Sequence, residues 1–360
     1  MKKANSKNSV LKWIIIVILL LMIYGIAGFG FYFFYMNPQN QGAFTEGILG
    51  LINANYIRLL IVFTVFVVLM LVASWILHRH KNEKKFLRVL TRIVCLVPAI
   101  IVGVFVLKNF WLDLPKITAP QTILLKNVEW DKKDNNHNIS GIDQDGNPKT
   151  YHLNTSTYNA LTEKWENKEA FSTLKVLPYN QIVMSVQVDD HLSQKNIKNM
   201  VYPTEMSDDW QRLQVQINKK VYALNEPLSN FLDNGWVVDE TSYESKQHEN
   251  LEAGKSQDLL LTNRDGRQVA LTVKNTTKET QEIAKASVVK IVLNNVDSGF
   301  YYVLPSDIVL GWSHDKEILK TYGEPKETKE TEWLYDSENG SMRLVFTDQG
   351  ILDGVTMSSK

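Results

Sequence analysis

Three stretches of the chain are apolar throughout, and the remainder alternates. Trp13 to Met36 runs 24 residues without a charge, Leu59 to Leu77 runs 19, and Ile93 to Leu112 runs 20 with only Lys108 near its far end. About 20 apolar residues cross a hydrocarbon core, so the pattern predicts three transmembrane helices, over 13–36, 57–78 and 91–112. A cleaved signal peptide is the competing reading of the first run. The run is long for one and no small-x-small site ends it, so a retained helix is expected. After Leu112 the pattern changes to short alternating runs broken by turn residues, which predicts strands.

Residues 113–120, "DLPKITAP", read as a linker kept extended by Pro115 and Pro120. From 121 to 188, "TILLKNVEW", "NHNISGID", "KTYHL", "AFSTLKVLPY" and "QIVMSVQV" alternate around one helical stretch, "TSTYNALTEKW", with Asn154, Thr155 or Ser156 as its cap. "DQDGN" within this region reads as a hairpin turn. As a calcium loop counted from Asp143 it would need Glu where Asn154 stands. Residues 189–210 are polar and irregular and read as a second linker.

From Gln211 a helix followed by antiparallel strands occurs twice, over 211–286 and 287–360, an α+β plan. In the first copy Leu228, Phe231 and Leu232 form one helical stripe before Asn234-Gly235. "QDLLLTNRDGRQVALTVKN" then reads as a hairpin turning at Arg264-Asp265-Gly266-Arg267. In the second, Ser313 is the expected N-cap, Ile318, Leu319 and Tyr322 the buried stripe, and Gly323-Glu324-Pro325 the stop. "TEWLYD", "MRLVFTD" and "ILDGVTM" follow as strands. Period two puts Trp333 and Tyr335 on one face and Leu334 on the other.

Charge divides the chain at the same place as the pattern. Residues 1–112 hold twelve Lys/Arg against two Asp/Glu, leaving 27 against 37 in the rest. The basic residues gather before the first span (Lys2, Lys3, Lys7, Lys12) and between the second and third (Arg79, Lys81, Lys84, Lys85, Arg88, Arg92). Lys/Arg-rich loops stay cytoplasmic, so the N-terminus is expected inside and residues 113–360 outside. An acidic external half argues against nucleic acid, which needs clustered Lys/Arg. The only cysteine, Cys95, lies in the third span, so the external part folds without disulfides. That absence, with the Lys/Asn-rich composition, points to a Gram-positive bacterial cell membrane.

Little chemistry stands out. There is no H-E-x-x-H, G-x-S-x-G or phosphate-binding glycine loop. His137, His152, His191, His248 and His314 have no ligand spacing and read as surface residues. The expectation is no catalytic residue, no cofactor and no metal. Aromatic residues are the more suggestive feature: Trp236, Tyr301, Trp312, Trp333 and Tyr335 cluster in the two-copy region. They are either core or the anchors of a binding face, and they form the candidate binding surface.

Two resemblances add to this. The pattern "KTYHLN…LKVLPYNQIVMSV" resembles small OB-like domains of Gram-positive envelope proteins, which implies a small β-barrel over 121–188. Leu310, Gly311, Ser313, Ile318, Leu319, Tyr322, Gly323, Pro325, Trp333, Tyr335, Leu344, Phe346, Gly350 and Ile351 form a pattern that resembles the BamE/SmpA and β-lactamase-inhibitor-protein-like superfamily. That resemblance implies a helix on an antiparallel sheet, used for binding or scaffolding in the envelope. The expected protein is a multi-pass membrane anchor presenting an extracytoplasmic binding region, not an enzyme. Its expected partners are the lipid bilayer and an envelope protein or wall polymer. The alternatives are an accessory or sensor subunit of a membrane complex, or an envelope enzyme or enzyme inhibitor.

Overall fold

The computed structural model describes residues 3–37, 43–79, 85–133, 136–201, 205–239, 250–295 and 299–360. The basic turn at 80–84, most of the acidic loop at 240–249, and His248 with it, lie outside the described residues.

The apolar runs form helices, in which each segment satisfies its own backbone polar groups. They are α1 (Lys3–Phe31), α2 (Gly47–Arg79) and α3 (Lys85–Val106). Two segments are long and apolar enough to cross a membrane, Ile16–Met36 and Gly47–Ile76. The third run is helical too, with Pro98 inside α3 and a break at Leu107 before the short α4 (Lys108–Asp113). The second helix starts ten residues before the predicted 57. Its extra turns carry Asn53 and Asn55, and Leu51 and Asn55 there are buried. Among described residues, every exposed large apolar side chain except Tyr179 and Val237 lies between Ile16 and Leu114. The segment 113–120 is not extended throughout: Leu114–Lys116 makes a 3₁₀ turn with Pro115 at its start, where a missing N–H costs nothing.

Next comes a five-stranded antiparallel sheet. Its strands are β1 (Gln121–Lys133), β2 (Asn136–Asp143), β3 (Pro148–Leu153), β4 (Phe171–Leu177) and β5 (Ile182–Asp189), in the order β3-β2-β1-β4-β5. Long β1 serves two antiparallel ladders. Gln121–Leu125 pairs with β4, and the remainder pairs with β2 across a bulge where Asn127 takes φ 52°. The expected OB-like barrel is not closed, because the edge strands β3 and β5 share no hydrogen-bonded ladder. Helix α5 (Thr155–Trp165) lies over the sheet. Asn154 caps it by accepting from Thr157 N at 2.7 Å. The "DQDGN" turn is local: Asp143 Oδ1 accepts from the amides of Asp145 and Asn147 at 3.0 and 2.8 Å.

Residues 189–201 are packed rather than free. The short α6 (Gln194–Lys198) puts Ile197, with Leu192 before it, into a buried cluster. Leu124 and Phe171 of the first sheet join that cluster, as do Val303, Val309, Trp312 and Ile351 from the C-terminal region.

The two helix-and-strand copies share their sheets. The first supplies β6 (Gln214–Ile217), β7 (Lys220–Ala223), α7 (Ser229–Leu232), β8 (Val237–Val238), β9 (Asn250–Leu251), β10 (Ser256–Thr262), β11 (Gln268–Lys274) and β12 (Gln281–Glu282). The second supplies β13 (Ser287–Asn294), β14 (Tyr302–Leu304), β15 (Ile308–Val309), α8 (Asp315–Tyr322), β16 (Glu327–Lys329), β17 (Glu332–Asp336), β18 (Gly340–Phe346) and β19 (Leu352–Ser359). An eight-stranded sheet runs β16-β17-β18-β19-β13-β11-β10-β8, and a four-stranded one runs β15-β14-β6-β7. Strand β11 of the first copy therefore neighbours β13 of the second, and β6 neighbours β14. One core joins both sheets, from Val215, Ile217 and Tyr222 to Leu259, Leu271, Ile291, Leu344 and Met357.

The helix of the first copy shrinks to four residues. That of the second is as expected, with Ile318 buried and Gly323 ending it at φ 80°. Its cap is His314, not Ser313. His314 Nδ1 accepts from Lys316 N, while Ser313 Oγ accepts from Val309 N at 2.9 Å one turn earlier.

Candidate functional site

The β-rich region is fastened to one end of the helical part. Asp113, wholly buried, accepts from Tyr179 N at 3.0 Å, Asn180 N at 2.8 Å and Asn180 Nδ2 at 2.7 Å. Those donors sit on the β4–β5 turn. The same turn receives Asn109 Nδ2 at Tyr179 O (3.1 Å) and Asn55 Nδ2 at Asn180 Oδ1 (3.2 Å). Gly50 of α2 lies so close to β5 that a methyl group there would meet Ile182 Cγ2 at 3.1 Å. Glu46, from the loop between α1 and α2, makes a second fastening. Its carboxylate accepts from Asn154 N at 2.7 Å, Asn154 Nδ2 at 2.9 Å and Thr157 Oγ1 at 3.0 Å. Burial pushes the Glu46 carboxyl up, and the bonds from Asn154 and Thr157 pull partly against that.

The aromatic candidates do not form one surface. Trp236, Trp312 and Tyr335 are 4%, 0% and 2% exposed, which removes them from any binding face. Trp312 is the centre of the inter-sheet cluster. It lies 5.0 Å from Phe300 and 6.4 Å from Phe171, with Lys126 over its ring and its Nε1 donating to Gly299 O. Trp236 Nε1 donates to Tyr222 Oη in the core. Tyr335 Oη donates to Gly323 O, with Trp210 and Tyr322 around the ring. Trp333 is half-buried against Phe346 at 4.7 Å, on the same inward face as Tyr335. The solvated face is therefore that of Leu334. Cross-strand partners run Leu260, Ala270, Val292, Thr356, Arg343, Leu334 along one row. Arg343 pairs with Glu332 at 3.1 Å on this face.

Tyr301 alone of the five sits half-exposed in a cleft. Four turns converge there: Gln144-Asp145 after β2, the β6–β7 tip Asn218-Lys219, the β10–β11 turn through Arg267, and Gly299–Tyr301 before β14. The cleft holds about 200 Å³. The β10–β11 turn is held by Asn263, whose Oδ1 accepts from the amides of Asp265 and Arg267 at 3.0 and 2.9 Å. Asn263 Nδ2 donates to Tyr301 Oη at 2.8 Å, and Arg267 lies over the Tyr301 ring at 5.2 Å. Burial pushes the Tyr301 hydroxyl up, so the Tyr is neutral at neutral pH and serves as a hydrogen-bonding group. From sequence alone Arg267 is only part of a hairpin turn. Its place beside an Asn-x-x-x-Arg turn was the available signal; the partner ring 34 residues on was not.

The histidines also depart from expectation. His137 is 6% exposed against Tyr158, and His314 is 6% exposed. His314 faces His191 with ring centroids 4.4 Å apart. Asp190 and Asp315 flank the two rings, at 2.7 Å from His191 Nδ1 and 2.5 Å from His314 Nδ1. Among the described residues no group of three His, Cys, Asp or Glu is placed to hold a metal.

No family model and no curated protein matches this sequence. A solved structure titled "Rhs1-CT in complex with cognate immunity protein RhsI1" is similar over 42% of this chain and 85% of that chain. Its identity is 6% and its TM-score 0.22. A likeness of that size carries no argument about fold or function.

Proposed function

We propose that this is a multi-pass bacterial membrane protein that presents a ligand- or partner-binding region on the extracytoplasmic side, with three spans and a cytoplasmic N-terminus. The observation that supports the reading best is the double fastening by Asp113 and Glu46. It joins the β-rich region to the end of the helices where the α1–α2 loop lies. That loop carries Glu46 as its one charge, with Arg58 following inside α2, so by the positive-inside rule it belongs outside. The β-rich region then belongs outside with it. The half-exposed Tyr179 at the fastening suits the headgroup layer, where aromatic rings gather. OB-like and BamE-like affinities, and a Gram-positive source, are part of the same proposal.

Crosslinking in intact cells, followed by capture through a tag placed after Lys360, tests the binding role. Reproducible recovery of one envelope protein or wall fragment is expected. Recovery of this chain alone under conditions that trap known neighbours would refute it.

One observation favours a second reading, an accessory subunit. On α1 a methyl group at Gly25 or Gly28 would meet nothing within 4 Å, so that glycine face is unpacked within the chain. Small residues let helices approach closely in membranes, and a partner helix would use such a face. Co-purification of a second membrane protein in mild detergent, lost on Gly28→Leu, is the expected outcome of this reading.

A further inference from the structure

We propose that the four-turn cleft binds a single oxyanion, the carboxylate or phosphate end of a ligand, with Arg267 as its principal donor. The inference rests on the binding-module reading and gives it a site and a ligand chemistry.

Arg267 is the reason. A half-buried guanidinium ordinarily answers a carboxylate, because its planar fork of N–H groups matches one. Among the described residues no carboxylate lies within ion-pair reach of it, and its side chain meets the Tyr301 ring instead. A ring contact at 5.2 Å supplies no lone-pair acceptor to the guanidinium N–H groups, which leaves them to an oxyanion. Arg264, three residues earlier on the same turn, is exposed and serves as an internal contrast.

The site is built before any ligand arrives. Asn263 fixes the Arg267 amide with one side-chain atom and the Tyr301 hydroxyl with another. Such pre-organisation lowers the ordering cost of binding. Phe300 N donates to Gln144 O at 2.7 Å, which closes the floor between the two β-rich parts. Lys219, at φ 70° on a hairpin tip, lies at the rim. A cleft of about 200 Å³ takes an end group, since sites for whole drug-sized molecules run to roughly 300–1,000 Å³.

The test uses the full chain in detergent, with inorganic phosphate and lactate as probes at matched ionic strength against chloride. Phenylglyoxal labels accessible arginines, and mass spectrometry reads Arg267 and Arg264 separately. At least one probe is expected to slow labelling of Arg267 severalfold and to leave Arg264 unchanged; which one does so separates phosphate from carboxylate. The same probe is expected to raise the melting midpoint of the native chain and of Arg264→Gln, and not that of Arg267→Gln. Equal labelling of Arg267 with both probes and with chloride would overturn the site, as would equal protection of the two arginines. The labelling arm needs no variant, so a poorly folding Arg267→Gln leaves the proposal open to refutation. If the anion fails while a partner is still captured from cells, this site falls and the binding-module reading stands.

Discussion

Replacing Asp113 by alanine should loosen the β-rich region from the helices. The carboxylate is buried and serves three donors of the β4–β5 turn, at 3.0, 2.8 and 2.7 Å. Hydrogen bonds to a charged group contribute roughly 1.5–3 kcal/mol each. The three share one acceptor, so their losses do not add, and water can reach the turn once it opens. About 3 kcal/mol for the whole contact is the reasonable figure. That corresponds to about a hundredfold in the docking equilibrium. Amide hydrogen exchange reads it directly, since Tyr179 N and Asn180 N are two of the three donors. Both should exchange about a hundredfold faster in Asp113→Ala. Amides at the centre of β4, such as Leu174, should be unchanged. Asp113→Asn should give a similar loss, because its amide nitrogen faces a donor. Unchanged exchange at both turn amides in the alanine variant would refute the claim that Asp113 holds the joint.

Other consequences can be checked on the purified chain. Burial holds the His314 imidazole below its ordinary 6.5, with His191 and Lys316 adding to the effect and Asp315 and Asp190 opposing it. The unfolded chain then takes up the proton first. The stability contribution is whole above pH 6.5 and is lost as pH falls through the folded-state value. His314→Asn keeps a capping side chain without a titrating ring, so it should flatten the acid limb of a midpoint-versus-pH curve; an unchanged limb would exclude His314 as its source. Trp312→Ala should cost about 3–5 kcal/mol by denaturant unfolding, since the ring is fully buried between the two β-rich parts. On β17, Tyr335→Ala should cost several-fold more stability than Leu334→Ala, because Tyr335 is core and Leu334 lies on the solvated face.

The helical part was largely legible in the sequence, because two long charge-free runs and a third with only Lys108 near its end admit few other structures. Single hairpins were legible too, from alternation and from turn residues such as those of "DQDGN". Pairing between distant strands was not. Nothing in Gln268–Lys274 or Ser287–Asn294 states that the two lie side by side, so the pattern left open whether the two copies form one sheet, which they do through β11 and β13. Burial of Trp312 was hidden for a related reason. The ring sits in a turn with no period, and its neighbours Phe171 and Lys126 come from the first sheet. Trp333 and Tyr335 were rightly placed on one face, but period two alone does not say which face a second sheet covers. The joint has no sequence signature because Asp113 and Glu46 are each a lone acid at a span end, and their partners are amides and side chains of the remote β4–β5 turn and of the start of α5.

The central claim is that the β-rich region and the α1–α2 loop lie together outside the membrane. The most direct measurement places one cysteine at the exposed Asn167, in a Cys95→Ser background, and treats intact protoplasts with a membrane-impermeant maleimide. The account predicts full labelling before lysis and no increase after it. Labelling that appears only after lysis would put the region in the cytoplasm and contradict the account.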